Sequence, residues 1–118
     1  SKKILFLEKI PYNQLLEITS SADIGCALIP GVGISNQFAL PNKIFEYAAA
    51  RIPTLATPLV NMEKAINKYN LGACIDYNDL DKQIDFIINS HKKKYFNNKM
   101  HEIKWSSQEK LFNNIINA

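Results

Sequence analysis

The sequence has one arginine, two cysteines and no long apolar run. Lysine supplies thirteen of its fourteen basic residues, Arg51 stands alone, and the formal net charge is only +3. Proteins that bind nucleic acids favour arginine, because its planar guanidinium makes two parallel hydrogen bonds to a phosphate or a base edge. With a single arginine, no nucleic-acid partner is expected for this chain. No apolar run reaches the roughly 20 residues that span a bilayer, and the charged start SKKILFLEKI does not resemble a signal peptide.

The few cysteines and histidines exclude further classes of site. Cys26 and Cys74 lie in apolar runs without the spacing of a metal or redox motif, so both are predicted to be buried, free thiols in a reducing compartment. His91 and His101 have no cysteine or carboxylate at metal-ligand spacing. No metal and no cofactor are therefore expected. The absence of glycosylation sequons also favours a cytoplasmic protein.

The apolar content of 47% over 118 residues is enough for one globular domain. Short apolar runs predict strands at Ile4–Leu7, Asp23–Ile29, Pro53–Ala56 and Gly72–Ile75. Helical patterns lie between and after them, at Tyr12–Ser20, from Pro41, along Met62–Tyr69, from an N-cap at Asn78, and from a capping box at Ser106 and Glu109. This alternation predicts an α/β fold with a Rossmann-like parallel sheet and flanking helices.

One of these helices has a clear apolar face. Met62, Ala65, Ile66 and Tyr69 follow the spacing of an amphipathic helix. The helix capped by Asn78 carries Leu80, Ile84, Ile87 and Ile88.

A loop with two glycines follows the predicted strand at Asp23–Ile29. Its sequence, Gly31 to Gln37, includes Gly33 and Asn36, and the glycines would let backbone amides approach a ligand closely. The third glycine of a dinucleotide-binding fingerprint is missing. A plain turn that requires glycine is the alternative reading.

The helix from Pro41 carries the strongest candidate site. Free N–H groups at a helix start favour an anion, and Lys43 beside them would be unfavourable by ~0.3–1 kcal/mol unless an anion were bound. The alternative is an exposed lysine that pairs with Glu46 one turn later.

Glu46 and Tyr47 continue the same helix. Glu46 is expected to lie opposite the residues that pack on the sheet, which are Ile44, Phe45, Ala48 and Ala49. A carboxylate one turn beyond a phosphate site can accept two hydrogen bonds from a ribose diol. A solvated helix carboxylate is the alternative.

Together these segments resemble a known family. KILFLEKIPYNQLLEITSSADIGCALIP, ALPNKIFEYAAARIPTLAT and KYNLGACIDYNDLD, in this order, resemble the C-terminal half of GT-B glycosyltransferases, specifically the retaining "glycosyl transferases group 1" enzymes of bacterial cell-surface polysaccharide synthesis. The resemblance covers nearly the whole chain, and LPNKIFEY is its most specific part.

The resemblance implies a nucleotide diphosphate-sugar donor and a saccharide or lipid-linked acceptor. It makes Glu46 the ribose ligand and places Asn42 and Lys43 at the donor phosphates. A second family glutamate is replaced by Phe38, so its contact is missing or is made by another residue, such as Asn36 or Asn42. Gly33 and Tyr47 complete the expected donor-binding set. The full-length enzyme is expected in the cytoplasm or at the inner face of the membrane.

By the same resemblance, residues 1–118 are one partial domain. The family's N-terminal acceptor domain and the opening strands of the donor domain have no counterpart, so the isolated chain is expected to be inactive. Those strands would lie between Ile4–Leu7 and Asp23–Ile29. We therefore expect either that Ile4–Leu7 pairs beside Asp23–Ile29, or that the chain self-associates through an exposed strand edge. Arg51 stands where the family commonly has a glycine, just before the predicted strand at Pro53–Ala56.

A different class of function stays open. In a non-catalytic α/β interaction module, Lys43 and Glu46 would be a surface ion pair and no nucleotide would bind. The enzyme reading predicts that Lys43, Glu46 and the Gly31 to Gln37 loop surround one concave site. The module reading scatters them over a convex surface.

Overall fold

The computed structural model describes residues 3–30 and 42–102 of the chain. The helices in these ranges are α1 (Tyr12–Ser20), α2 (Asn42–Ala49), α3 (Val60–Tyr69) and α4 (Leu80–Asn89). The strands are β1 (Gly25–Ala27), β2 (Thr54–Ala56) and β3 (Gly72–Cys74). Two short 3₁₀ helices follow α4, at Ser90–Lys92 and Asn98–Glu102. The loop from Gly31 to Gln37, Pro41 and the predicted last helix lie outside the described residues.

The three strands form one parallel sheet in the order β1-β2-β3. In its register, Gly25 lies opposite Thr54, and Thr54 lies opposite Gly72. Each strand lies within one of the predicted runs, at Asp23–Ile29, Pro53–Ala56 and Gly72–Ile75. Parallel strands that alternate with helices confirm the predicted α/β class, with a small Rossmann-like sheet.

One face of the sheet is covered by α2 and α3. Ala27 and Ala56 are in register, so their side chains point to the same face. Both belong to a buried cluster with residues of the two helices. Its members are Ala27, Ile44, Ala48, Ala56, Leu59, Met62, Ile66, Tyr69, Leu71 and Met100. The predicted inner face of α3, from Met62 to Tyr69, is therefore confirmed.

The end of α2 explains Arg51. The Ile52 N–H donates to the Tyr47 carbonyl at 3.1 Å and the Arg51 N–H donates to the Ala48 carbonyl at 3.0 Å, which together make a Schellman motif. Such a motif needs a left-handed residue, and Arg51 has φ 60°. Glycine would adopt this conformation without strain. Asn70, with φ 52°, occupies the same place after α3.

The predicted strand at Ile4–Leu7 is wrong. These residues form no strand, and their side chains are 62, 81, 90 and 53% exposed. A strand needs a hydrogen-bonded neighbour, and Ile4–Leu7 pairs with no strand of the sheet formed by residues 25–74. The expectation that Ile4–Leu7 pairs beside β1 within one chain is therefore also wrong.

The apolar residues of α4 noted in the sequence lie mostly on its exposed side. Leu80, Ile84, Ile87 and Ile88 are 64, 44, 48 and 63% exposed. The buried residues of α4 are instead Gln83 and Phe86. Gln83 is tolerated inside because its Nε2 donates to the carbonyls of Asp76 and Tyr77 at 2.9 and 3.0 Å.

Three smaller expectations need correction. The N-cap of α4 is Asp79, one residue after Asn78, and its carboxylate accepts from the Lys82 N–H at 3.2 Å. Cys26 is exposed because it lies between the buried Gly25 and Ala27 on an alternating strand, and Cys74 is half-buried. Ala49 is exposed because it lies on a different side of α2 from the buried Ile44 and Ala48.

Candidate functional site

The carboxyl ends of the strands define the edge where a site is expected in a parallel α/β sheet. The segments that leave β1 and β2 are tied together there by Thr57. Its N–H donates to the Ala27 carbonyl at 3.3 Å, and its Oγ1 accepts from the Ile29 N–H at 3.2 Å. Thr57 is 1% exposed, so its two hydrogen bonds are shielded from water and hold the two segments together at this edge.

The helix α2 starts on the connection from β1 to β2, which leaves β1 at this edge. Asn42 is its first residue, and Lys43 and Glu46 follow within the first turns. Lys43 is exposed and Glu46 is half-buried. The start of α2 therefore carries one cation and one partly desolvated carboxylate on successive turns.

The pKa of Glu46 is affected both by burial and by the charge of Lys43. Burial raises the pKa of this carboxyl above its usual range, and the nearby charge of Lys43 lowers it in part. The two side chains are thus close enough to couple electrostatically. A partly desolvated carboxylate is a stronger hydrogen-bond acceptor than one in bulk water.

Tyr47 makes a specific contact with β1. Its hydroxyl donates to the Cys26 carbonyl at 3.0 Å. Its ring lies over Gly25 so closely that a Cβ at this position would be 2.4 Å from the ring atoms. Burial raises the pKa of Tyr47, and the charges of Cys26 and Glu46 raise it further. The hydroxyl thus already has a partner.

The described residues bring together only part of the predicted donor set. Lys43, Glu46 and Tyr47 lie within two turns of α2, with Asn42 at the helix start. Gly33 and Asn36 lie outside the described residues. That Lys43, Glu46 and the Gly31 to Gln37 loop surround one concave site therefore stays a prediction.

An acidic cleft at the carboxyl end of β3 was not predicted. Asp76, Asn78, Asp79 and Asp81 line a space of about 460 Å³ there. Two of the carboxylates are used locally, since Asp76 accepts from the Asn78 N–H at 3.0 Å and Asp79 caps α4. No group of three metal-ligating side chains occurs within residues 3–30 and 42–102. The run DYNDLD was its only signal in the sequence.

A second cleft lies at the opposite, amino end of the strands, also without a prediction from sequence. Its volume is about 640 Å³, and Asp23, Arg51, His91 and Lys93 stand in its lining. The buried hydroxyl of nearby Tyr95 has no hydrogen-bond partner in the described part of the chain. Being at the other end of the sheet from the start of α2, this cleft is separate from the predicted donor site.

The free thiol of Cys74 lies near the carboxyl edge. Burial raises its pKa to about 11, and the charge of Glu63 in the first turn of α3 contributes to the rise. The neutral thiol is therefore favoured at physiological pH, which argues against a nucleophilic role.

Comparison of the chain with protein-family models, with curated proteins and with solved structures gives no match. Among the residues that the structure describes, no helix has both the length and the apolar character to cross a membrane.

Proposed function

We propose that the chain is the donor-binding part of a GT-B retaining glycosyltransferase of the "glycosyl transferases group 1" kind. It would bind a nucleotide diphosphate-sugar whose sugar passes to a saccharide or lipid-linked acceptor in cell-surface polysaccharide synthesis. One observation supports this best: α2, on the connection that leaves the carboxyl end of β1, carries Lys43 and the half-buried Glu46 one turn apart.

The chemistry follows from these positions. The free N–H groups of the first turn and the Lys43 ammonium hold the diphosphate, and they stabilise its charge as it leaves. The Glu46 carboxylate accepts two hydrogen bonds from the ribose hydroxyls. By the resemblance, Asn42, Gly33 and Asn36 would also contact the donor. Tyr47 fixes the helix against β1, because its hydroxyl is engaged by the Cys26 carbonyl.

The remaining parts of the reaction would come from another part of the same enzyme. An N-terminal domain would bind the acceptor and supply further cations for the leaving diphosphate. The enzyme would act in the cytoplasm, at the inner face of the membrane where lipid-linked acceptors lie. The 118-residue chain alone would bind nucleotide weakly and transfer no sugar.

A titration of the 118-residue chain with UDP and GDP, followed by NMR, tests the site. We expect millimolar affinity, with shifts centred on the amides of Lys43 and Glu46, because an incomplete site loses several kcal/mol and each ~1.4 kcal/mol is tenfold. Micromolar binding would show that the site is complete. Failure of the full-length protein to bind or use any of a panel of nucleotide-sugars would reject the function.

A second candidate is a non-catalytic interaction module. The exposed apolar stripe of Leu80, Ile84, Ile87 and Ile88 on α4 favours it, since large apolar patches often bind other proteins. In that case substitutions of Lys43 and Glu46 would leave every activity of the full-length protein unchanged, and no nucleotide would shift the α2 amides.

A further inference from the structure

The outer edge of β1 has no paired strand among the residues that the structure describes. The Gly25 N–H donates to the Pro53 carbonyl at 2.9 Å, and the Ala27 carbonyl accepts from the Thr57 N–H at 3.3 Å. Gly25 and Ala27 thus direct their backbone groups to β2, and the intervening Cys26 directs its own to the other side. No strand in residues 3–30 or 42–102 pairs there. We call this side the free edge of β1.

Tyr47 protects this edge at one point. Its hydroxyl donates to the outward Cys26 carbonyl at 3.0 Å, from a ring that lies over Gly25. A single side-chain donor satisfies one carbonyl but supplies no second strand. An edge protected in this limited way can still accept a strand if the hydroxyl gives up its bond.

The same chain carries an unpaired apolar segment. Ile4–Leu7 is in neither helix nor sheet, and Leu5 and Phe6 are 81 and 90% exposed. Four consecutive apolar residues at such exposure are unfavourable in water. Isoleucine and phenylalanine also favour extended backbone, so the segment is suited to become a strand.

One end of the segment matches the start of β1 in charge. Lys3 precedes Ile4–Leu7, with Glu8 and Lys9 after it, and Asp23 precedes β1. A parallel register with Leu5 opposite Gly25 would bring Lys3 opposite Asp23. It would also bring Phe6 opposite Cys26, whose side chain is exposed.

We propose that Ile4–Leu7 of a second copy of this chain adds to the free edge of β1 as a parallel strand. Each copy then donates one segment and accepts one, which closes a two-fold dimer and pairs the outer side of β1 in both copies. The Tyr47 hydroxyl gives up the Cys26 carbonyl to the added strand. This proposal concerns the 118-residue chain and does not depend on nucleotide binding.

Light scattering on the purified chain over a range of concentrations tests the proposal, with three variants. Phe6→Lys should weaken the dimer at least tenfold without changing the circular dichroism spectrum, because Phe6 is 90% exposed in one copy. Tyr47→Phe should tighten it about two- to tenfold, because the competing hydrogen bond is removed while the ring stays. Ile88→Lys, at a residue 63% exposed on α4, is the matched control and should change nothing.

Alkylation of Cys26 supplies a second readout. Its thiol is exposed in one copy, so its reaction should slow as dimer forms, and Phe6→Lys should restore the rate. A chain that stays monomeric up to millimolar concentration would overturn the proposal. So would a dimer that Ile88→Lys disrupts as strongly as Phe6→Lys, because association would then use the α4 stripe. A dimer in which Cys26 reacts at the monomer rate would overturn it too.

Discussion

The guanidinium carbon of Arg51 lies 5.8 Å from the centroid of the Phe96 ring. Both residues have left-handed backbones, with φ 60° and 65°. Arg51 ends α2, and the Phe96 N–H donates to the Asn70 carbonyl beyond α3 at 2.8 Å. The cation–π contact therefore connects the end of α2 to the segment after α4, and its attraction offsets part of the strain of the two backbones.

This relationship predicts an order of stability at residue 51. Arg51→Ala should destabilise the chain by about 0.5–1 kcal/mol, because the cation–π contact is lost and the left-handed strain stays. Arg51→Gly should be more stable than Arg51→Ala by roughly 1 kcal/mol, because glycine adopts this φ freely. Urea unfolding of the three proteins measures both differences. Equal stability of the alanine and glycine variants would contradict the strain.

Gly25 and Tyr47 should be strongly coupled. In Gly25→Ala the new Cβ would lie 2.4 Å from ring atoms of Tyr47, so the ring must move and its bond to Cys26 must break. We expect a destabilisation of about 1–3 kcal/mol. In a Tyr47→Ala background the same substitution should cost much less. A double-mutant cycle by thermal unfolding measures the difference, and additive effects would show that the ring does not fill this space.

Apolar spacing predicted which residues share a face, but not what covers that face. The helical spacing of apolar residues in α3 correctly predicted that Met62 and Tyr69 face the core, because α3 packs on the sheet. In α4, by contrast, the apolar Ile84 and Ile88 face outward and Phe86 faces inward. Ile4–Leu7 failed for a related reason, because a strand exists only with a partner. Pairing and coverage are tertiary properties that periodicity does not contain.

The candidate site was predictable in its parts and not in its contacts. The proline at residue 41 correctly indicated a helix from about residue 42. The bond between Tyr47 and Cys26 crosses 21 positions in sequence, so no local pattern could reveal it. The left-handed φ of Arg51 was not predicted, because arginine does not by itself indicate a left-handed residue.

The two thiols should differ in reactivity. Burial raises the pKa of Cys74 to about 11 from an ordinary 9.0, so the folded state favours the neutral thiol. In a Cys26→Ser variant, alkylation of Cys74 should therefore keep rising with pH through 9 and level off only near 11. Stopped-flow alkylation under native conditions measures this profile.

The stability of the chain should follow the same titration. The raised pKa means that the contribution of Cys74 is complete below pH 9.0 and is lost as pH rises toward 11. Cys74→Ser should flatten this loss. A rate plateau at Cys74 near pH 9 would contradict the effect of burial.

Glu46→Ala in the full-length protein should separate donor binding from stability. Loss of a charge-assisted hydrogen bond to ribose should weaken donor binding by ~1.5–3 kcal/mol, which is about 10- to 150-fold. Burial raises the pKa of Glu46, so ionisation of this carboxyl works against the fold as pH rises through its pKa. At neutral pH the alanine variant should therefore melt no lower than the wild type.

Glu17→Ala, at an exposed carboxylate on α1, is the matched control and should change neither property. Donor affinity from calorimetry and melting temperature are the two measurements, and an unchanged affinity would remove the ribose role of Glu46.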